Sequence, residues 1–479
     1  MKILFIAAEA FPLAKVGGLA DVTSSLATAL RDLGHEVCLI LPRYSSIRIP
    51  VQNVRKGNVL VSFKGHYEQV GLKMTKLKRK IPVYLVENDH YFGTEQIYTQ
   101  DDLQRFFFFS LSIPAIISQL DLHPDIIHCH DWHTALIPLW LKKAKMKMPC
   151  IFTIHNLAYQ GSFDQQFFLD SGLSSVWQEY ISPSAPRPSL NFMSPGILLA
   201  DIVTTVSPTY ASEILTPQYG VGLEQLLNYR SNELYGIVNG IDYDEYNPAT
   251  DPYLEKNYDS TAVERRVDNK LALQKKGGLP QNPDILLTGM VSRLEEQKGI
   301  DLLLQAIDQL IVQTGAQLVI LGEGREHYHK LLTEAALKYP ERLSVFIAND
   351  EGLARLIYGG CDVFLMPSRF EPCGLGQLIA MRYGAIPVVR HTGGLADTVK
   401  DVAVGNGNGF VFQNYAPSEM LGAIKRAEES FYHREGWKNL MKHNMKLDFS
   451  WKTSARKYEE IYLRARKMSR IQQRQSLAD

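Results

Sequence analysis

Lys15-Val16-Gly17-Gly18-Leu19-Ala20-Asp21 follows the apolar run Lys2-Ile3-Leu4-Phe5-Ile6-Ala7-Ala8. It opens a segment in which Leu19, Val22, Leu26, Leu30 and Leu33 recur at helical spacing, with Gly34 as the stop. The order is strand, glycine turn, helix. Backbone N–H groups at such a helix start are unpaired and carry partial positive charge. Glycine lets a ligand come close to the backbone, and Lys15 adds a full charge. The stretch therefore predicts an anion site suited to phosphate; the plain alternative is a turn that binds nothing. The chain has no Gly-x-x-x-x-Gly-Lys-Ser/Thr and no Gly-x-Gly-x-x-Gly here, so an ordinary kinase or dehydrogenase is not expected.

The same alternation runs from end to end. Strands are expected near 2–8, 36–41, 81–86, 125–129, 150–154, 202–206 and 235–238, then at 285–291, 317–321, 343–347, 363–366 and 386–389. The helix expected over 299–312 is apolar at Ile300, Leu303, Leu304, Ile307 and Leu310. Repeated strand–helix units imply parallel sheets covered on both faces. A chain of 479 residues exceeds one compact core. The polar region after Asn239 places a boundary near 243–250. The expected division is 1–245, 246–450 and a C-terminal helical segment 451–479. Doubly wound sheets bind ligands at the carboxyl ends of their strands, and a cleft between two such mouths is the default active site.

Lys plus Arg and Asp plus Glu both number 51, so no charge excess points to nucleic acid. The basic end of the last helix (Arg464, Arg466, Lys467, Arg470, Arg474) reads as a solvated helix end rather than a nucleic-acid tail. Five scattered cysteines without a Cys-x-x-Cys pair fit reduced thiols and a cytoplasmic location. No leader and no apolar run of membrane-spanning length is seen, so no membrane is expected as partner.

Polar side chains recur where strands end. Arg293 and Lys298 flank a strand-to-helix connection, an arrangement suited to a diphosphate. Glu371 lies in Pro367-Ser368-Arg369-Phe370-Glu371-Pro372-Cys373-Gly374-Leu375-Gly376, where it is expected among backbone donors. Thr392-Gly393-Gly394 gives a third glycine turn into a helix. In His128-Cys129-His130-Asp131-Trp132-His133, His128 and His130 share a strand face, yet no further ligand cluster supports a metal. Asp131 and Trp132 are read instead as lining a sugar site. His155, Asn156 and Tyr159 follow one strand and Asn239 another, suggesting a ligand rich in hydroxyls.

Taken together and in order, Lys15–Asp21, His130–Trp132, Thr153–Gly161, Val206–Tyr210, Val238–Asp242, Ser292–Gly299, Pro367–Leu375 and Thr392–Val399 resemble the bacterial glycogen synthases and plant starch synthases of glycosyltransferase family 5. The resemblance implies a GT-B fold: two Rossmann-like doubly wound domains facing across a cleft, with a C-terminal helix crossing back to the first. It implies glucose transfer from ADP-glucose to the non-reducing end of an α-1,4-glucan with retention, without metal or other cofactor. By match, Lys15, Gly17, Gly18, Asn239, Arg293, Lys298, Cys373, Gly374, Leu375, Thr392 and Gly393 hold the donor. Glu371, His155, Arg293, Lys298 and Lys15 carry the chemistry. Asp21, Asp131, Trp132, Asn156 and Tyr159 lie toward the acceptor.

The chain departs from the pattern in places. The second glutamate of the related family 4 enzymes falls on Ile379. Gly376 replaces a common Thr, Ser194-Pro195-Gly196 a Lys-small-Gly, and Asn349 an aromatic beside the base. The alternatives are a UDP-glucose-preferring GT-B glucosyltransferase and an inactive glucan-binding protein of the same fold.

Overall fold

The computed structural model describes residues 1–63 and 65–475. Residues 476–479, the end of the expected segment 451–479, and the side chain of Arg474 lie outside the described residues. The chain divides into two compact units. The first comprises Met1–Gly240 with Trp451–Asp479, the second Ile241–Ser450.

The first unit is built on strands β1 (Lys2–Ile6), β2 (Glu36–Pro42), β3 (Gln52–Phe63), β4 (His66–Lys76), β5 (Pro82–Glu87), β6 (Ile126–His130), β7 (Cys150–Ile154), β8 (Ile202–Thr205) and β9 (Leu234–Gly236). Their order in the sheet is β3-β4-β5-β2-β1-β6-β7-β8-β9. From β5 to β9 neighbouring strands run parallel. The hairpin of β3 and β4 is antiparallel and pairs antiparallel with β5. It was not expected. Its alternation is masked because Leu60 is apolar yet 66% exposed between buried Val59 and Val61, and a register shift interrupts β3 between Asn53 and Asn58.

The inner strands β6, β7 and β8 are buried throughout. In the helix Asp102–Gln119, Phe106, Phe107, Phe108 and Phe109 are all buried. Arg105 enters that core because Tyr91 O, Ile97 O and Asp102 Oδ1 accept from its guanidinium at 2.6–3.0 Å. The last helix, Trp451–Gln475, belongs to this unit and packs on the first helix, Gly18–Asp32. Tyr462 Oη meets His128 Nδ1 at 2.9 Å, and Ser454 Oγ donates to Val238 O at 2.6 Å. Arg466 pairs with Asp125 at 3.0 Å and Arg464 lies over the Tyr235 ring, so part of its basic end serves its own unit.

The second unit has β10 (Leu287–Val291), β11 (Gln317–Leu321), β12 (Leu343–Phe346), β13 (Val363–Met366), β14 (Ile386–Arg390) and β15 (Phe410–Phe412). All are parallel, in the order β12-β11-β10-β13-β14-β15. The topology reverses direction between β10 and β13 here, and between β1 and β6 in the first unit. Such reversal points open a crevice beyond the strand ends, because the two following loops leave to opposite sides.

Candidate active site

In the first unit the loop after β1 does not leave its N–H groups open. Glu9 is buried and its Oε2 accepts from Val16 N at 2.7 Å and Gly17 N at 3.0 Å. Tyr98 Oη donates to its other oxygen. The expectation of unpaired donors at this turn is therefore corrected: an internal carboxylate takes two of them. Burial raises the Glu9 pKa, while these hydrogen bonds pull it down. Lys15 Nζ donates to Asp21 Oδ1 at 2.8 Å and sits 5.1 Å over the Phe11 ring. Gly17 is extended, and a Cβ on it would meet nothing within 4 Å, so the loop stays open to an incoming group.

Across the reversal point, Asp131 directly follows β6 and has φ 62 and ψ 179. That region is essentially reserved for glycine and costs about 1–3 kcal/mol. Asp131 is buried and its Oδ1 has no partner. Burial pushes its carboxyl up to about 8, against the backbone N–H groups of His155, Asn156 and Trp132. His155 follows β7, and its Nε2 lies 3.1 Å from Nδ1 of buried His130. Desolvation lowers His155 to about 3 and also lowers His128, His130 and His133. His128 spends both nitrogens, on Tyr462 Oη and on Thr153 Oγ1 (2.6 Å). Among the described residues no group of three or more His, Cys, Asp or Glu side chains is placed to hold a metal.

Trp132 is packed among His133, Phe106 and Phe192, with ring centroids at 4.3, 5.3 and 6.1 Å. Gly161, at φ +62, backs onto this ring so closely that any Cβ would collide with it. Asn156 Oδ1 accepts from Ala158 N at 3.1 Å, a turn-forming use of that side chain. Tyr159 is exposed, and Asn239 is buried with Oδ1 unpartnered.

In the second unit the reversal point brings together two of the residues singled out by sequence. Lys298 Nζ lies 2.6 Å from Glu371 Oε2, and Ser368 Oγ donates to the same oxygen at 3.1 Å. The partners of this buried carboxylate are side chains, not the backbone donors expected from sequence. Backbone donation goes the other way, from Gly394 N to the Glu371 carbonyl at 3.0 Å. Gly393, at φ +44, and Gly394 press against the carbonyls of Glu371 and Cys373, where a Cβ would collide. The Thr392 turn and the Glu371 loop are thus locked to each other. Gly299 is pressed likewise on Pro367, tying the loop after β10 to the loop after β13. Gly374 has φ +72, with Leu375 leading into the helix Gly376–Arg382, and Cys373 is buried.

Arg293 reaches Glu295 Oε1 at 3.2 Å and Gln297 Oε1 at 3.3 Å, with about half of its side chain exposed. Arg390 crosses behind the loop and donates to the Ser368 and Arg369 carbonyls. Asn349 is exposed just before the helix Glu351–Gly360. Glu9 and Tyr98 were missed from sequence; Ser368, Arg390 and Gly394 stood in or beside the quoted stretches, but without the partners the structure gives them. For Glu9 a signal existed, a lone charge directly after a buried strand; for Tyr98 none did.

Residues 2–229 match the family model described as the starch synthase catalytic domain, and 269–443 that of glycosyl transferases group 1. The chain is 48% identical to the glycogen synthase of Geotalea daltonii (strain DSM 22248 / JCM 15807 / FRC-32), covering 96% of this chain and 98% of the relative. It is 45% identical to the glycogen synthase of Moorella thermoacetica (strain ATCC 39073 / JCM 9320), covering 97% of each. The catalytic domain of starch synthase IV from Arabidopsis thaliana, solved bound to ADP and acarbose, superposes with a TM-score of 0.89 at 36% identity, over 97% of this chain and 99% of that one. Sucrose-phosphate synthase from Thermosynechococcus elongatus shares the fold, with a TM-score of 0.62 at 16% identity, over 97% of this chain and 98% of that one.

Proposed function

Because this chain belongs to the glycogen synthase family, we propose that it transfers glucose from ADP-glucose to the non-reducing end of an α-1,4-glucan with retention, elongating the chain. The observation that carries the reading is the Lys298–Glu371 pair at the reversal point of the second sheet. In such a transfer the bond between the anomeric carbon and the phosphate oxygen breaks. ADP leaves with the electron pair, the acceptor hydroxyl oxygen forms the new bond, and its proton departs. Positive charge grows on the sugar and negative charge on the diphosphate. Cations already in place stabilise that state without reorganising.

Lys298 and Arg293 serve the diphosphate with Lys15, and the helix starts at Gly18 and Gly393 supply backbone dipoles, the Val16 and Gly17 amides being held by Glu9. Glu371 steadies the developing sugar cation, with Cys373, Gly374 and Leu375 against the ring. His155 and Asn239 reach donor hydroxyls. Asp21, Asp131, Trp132, Asn156 and Tyr159 lie toward the acceptor. The division into 1–245, 246–450 and 451–479 assigns the acceptor to the first segment and the nucleotide sugar to the second. Five free thiols fit a cytoplasmic enzyme, and no helix among the described residues is long and apolar enough to cross a membrane.

The test is ADP release from ADP-glucose with and without glycogen, with UDP-glucose in parallel. Glycogen-dependent ADP release with radiolabel entering the polymer is expected. Preference for UDP-glucose would keep the chemistry and give weight to Asn349. Glycogen binding with no release from either donor would point to a glucan-binding protein.

A further inference from the structure

The deepest unexplained feature of the first unit is the histidine pair behind its strand ends. His130 is fully buried, its Nδ1 lies 3.1 Å from His155 Nε2, and its own Nε2 has no partner. Its ring is walled by Phe5 and His128, with centroids at 5.0 and 4.1 Å. His155 sits one strand over and is only partly buried. Among the described residues, His130 is the hydrogen-bond partner of the His155 ring.

Two neutral imidazoles sharing one hydrogen bond have two arrangements, because each ring carries one N–H and one bare nitrogen. If His155 donated, the proton of His130 would sit on Nε2, an N–H sealed in the core without an acceptor. If His130 donates from Nδ1, its Nε2 is a bare nitrogen instead. Folded proteins tolerate an under-used acceptor more readily than an orphaned N–H. The second arrangement leaves the proton of His155 on Nδ1, the ring nitrogen that His130 does not engage.

We infer that His130 is a positioning residue for glucosyl transfer, whose Nδ1–H donates to His155 Nε2 and so makes His155 an Nδ1–H donor toward a sugar hydroxyl. Burial keeps both rings neutral, which makes this choice of proton position lasting. The inference rests on the reading of His155 as a substrate contact and adds what sets its hydrogen-bonding sense.

The test compares His130→Leu, His130→Asn, His155→Ala and the double variant His130→Leu/His155→Ala by kcat/KM for ADP-glucose with glycogen. Asn places an N–H donor near the position of Nδ1; Leu removes it. His155→Ala is expected to lose about tenfold or more, and His130→Leu to fall to within about threefold of it. The double variant should be no worse than His155→Ala, and His130→Asn should stay within about threefold of wild type. Full activity in His130→Leu beside a loss in His155→Ala overturns the inference alone. So does failure of His130→Asn to rescue. Full activity in His155→Ala overturns the substrate reading of His155 and the inference with it. Should His130→Leu not fold, long-range 1H–15N spectra of histidine-labelled wild type decide. The His155 signal, assigned by its loss in His155→Ala, is expected in the Nδ1–H form, and an Nε2–H form overturns the inference.

Discussion

The strand ends of the two units use titratable groups in opposite ways. Beyond β10 and β13 a full ion pair, Lys298 with Glu371, is braced by Ser368 and by glycine turns locked on each other's carbonyls. Beyond β6 and β7 the groups are desolvated, whereas Lys15 and Asp21 beyond β1 form a partly exposed ion pair. Histidines are pushed toward neutrality and Asp131 up to about 8, Asp131 sits in a glycine-only backbone region, and buried polar atoms are left unmatched. A charged site suits a ligand whose charge is known in advance, such as a diphosphate. An uncharged site with spare hydrogen-bonding capacity suits hydroxyls, which both donate and accept. Buried groups left short of partners, such as Asp131 Oδ1 and His130 Nε2, mark where a ligand can complete the hydrogen bonding.

The comparison breaks most visibly at the ion pair. Lys298→Ala is expected to cost roughly 10²–10³ in turnover, about 3–4 kcal/mol of transition-state stabilisation. It also leaves the Glu371 carboxylate buried without its cation, a loss of about 3–5 kcal/mol in stability. Adding Glu371→Gln should restore the urea midpoint but not ADP release. Recovery of both would deny the pair its chemical role.

Asp131→Asn should cost about tenfold or more in turnover while stabilising the fold, a split typical of a strained functional residue. The sign follows from the raised carboxyl. Between the ordinary range near 4 and about 8 the native state binds more protons than the unfolded one, so wild-type stability falls as pH rises through that window. The Asn variant escapes this loss. Its melting temperature should exceed that of wild type by a margin that grows from pH 4 to 8 and then levels. A constant margin would mean that Asp131 does not titrate there.

Acid should separate the units. His128, His130, His133 and His155 have depressed pKa values, so below about 6.5 the unfolded state binds more protons at these four sites and their contribution drops as pH falls through that point, against the opposite contribution of Asp131, Glu9 and Asp201. In the second unit Asp401 is held below the carboxylate range, with Arg426 and two backbone N–H groups outweighing desolvation, and its contribution is lost only at lower pH. Hydrogen exchange should therefore show peptides of 1–240 losing protection at higher pH than those of 241–450. Simultaneous loss would erase the contrast. The smallest effect is expected for Ser368→Ala. It removes one hydrogen bond to a charged group, about 1.5–3 kcal/mol at most in stability, with the ion pair and most activity retained.

What sequence could show was local. Gly17 and Gly18 at a helix start, Lys298 before a helix and Glu371 after a strand are all visible as short patterns, and those elements form where expected. Partners were not visible. That Glu9 occupies the Val16 and Gly17 amides depends on the chain folding back over itself, and Tyr98 joins them from a loop that follows β5 in the chain. The His130–His155 contact exists because β6 and β7 are neighbours with His130 level with Thr153, a register that no single segment encodes. Lys298 and Glu371 are 73 positions apart, and only the reversal of strand order between β10 and β13 joins them.

The first unit is discontinuous, and its last helix is translated only after the whole of Ile241–Ser450. At typical rates of chain growth this interval is on the order of ten to forty seconds. At its end the second unit has every residue it needs to fold, while His128 still lacks Tyr462 and Val238 still lacks Ser454. A chain cut short just before Trp451 therefore holds one complete unit and one that lacks the helix packed on Gly18–Asp32, His128 and Val238.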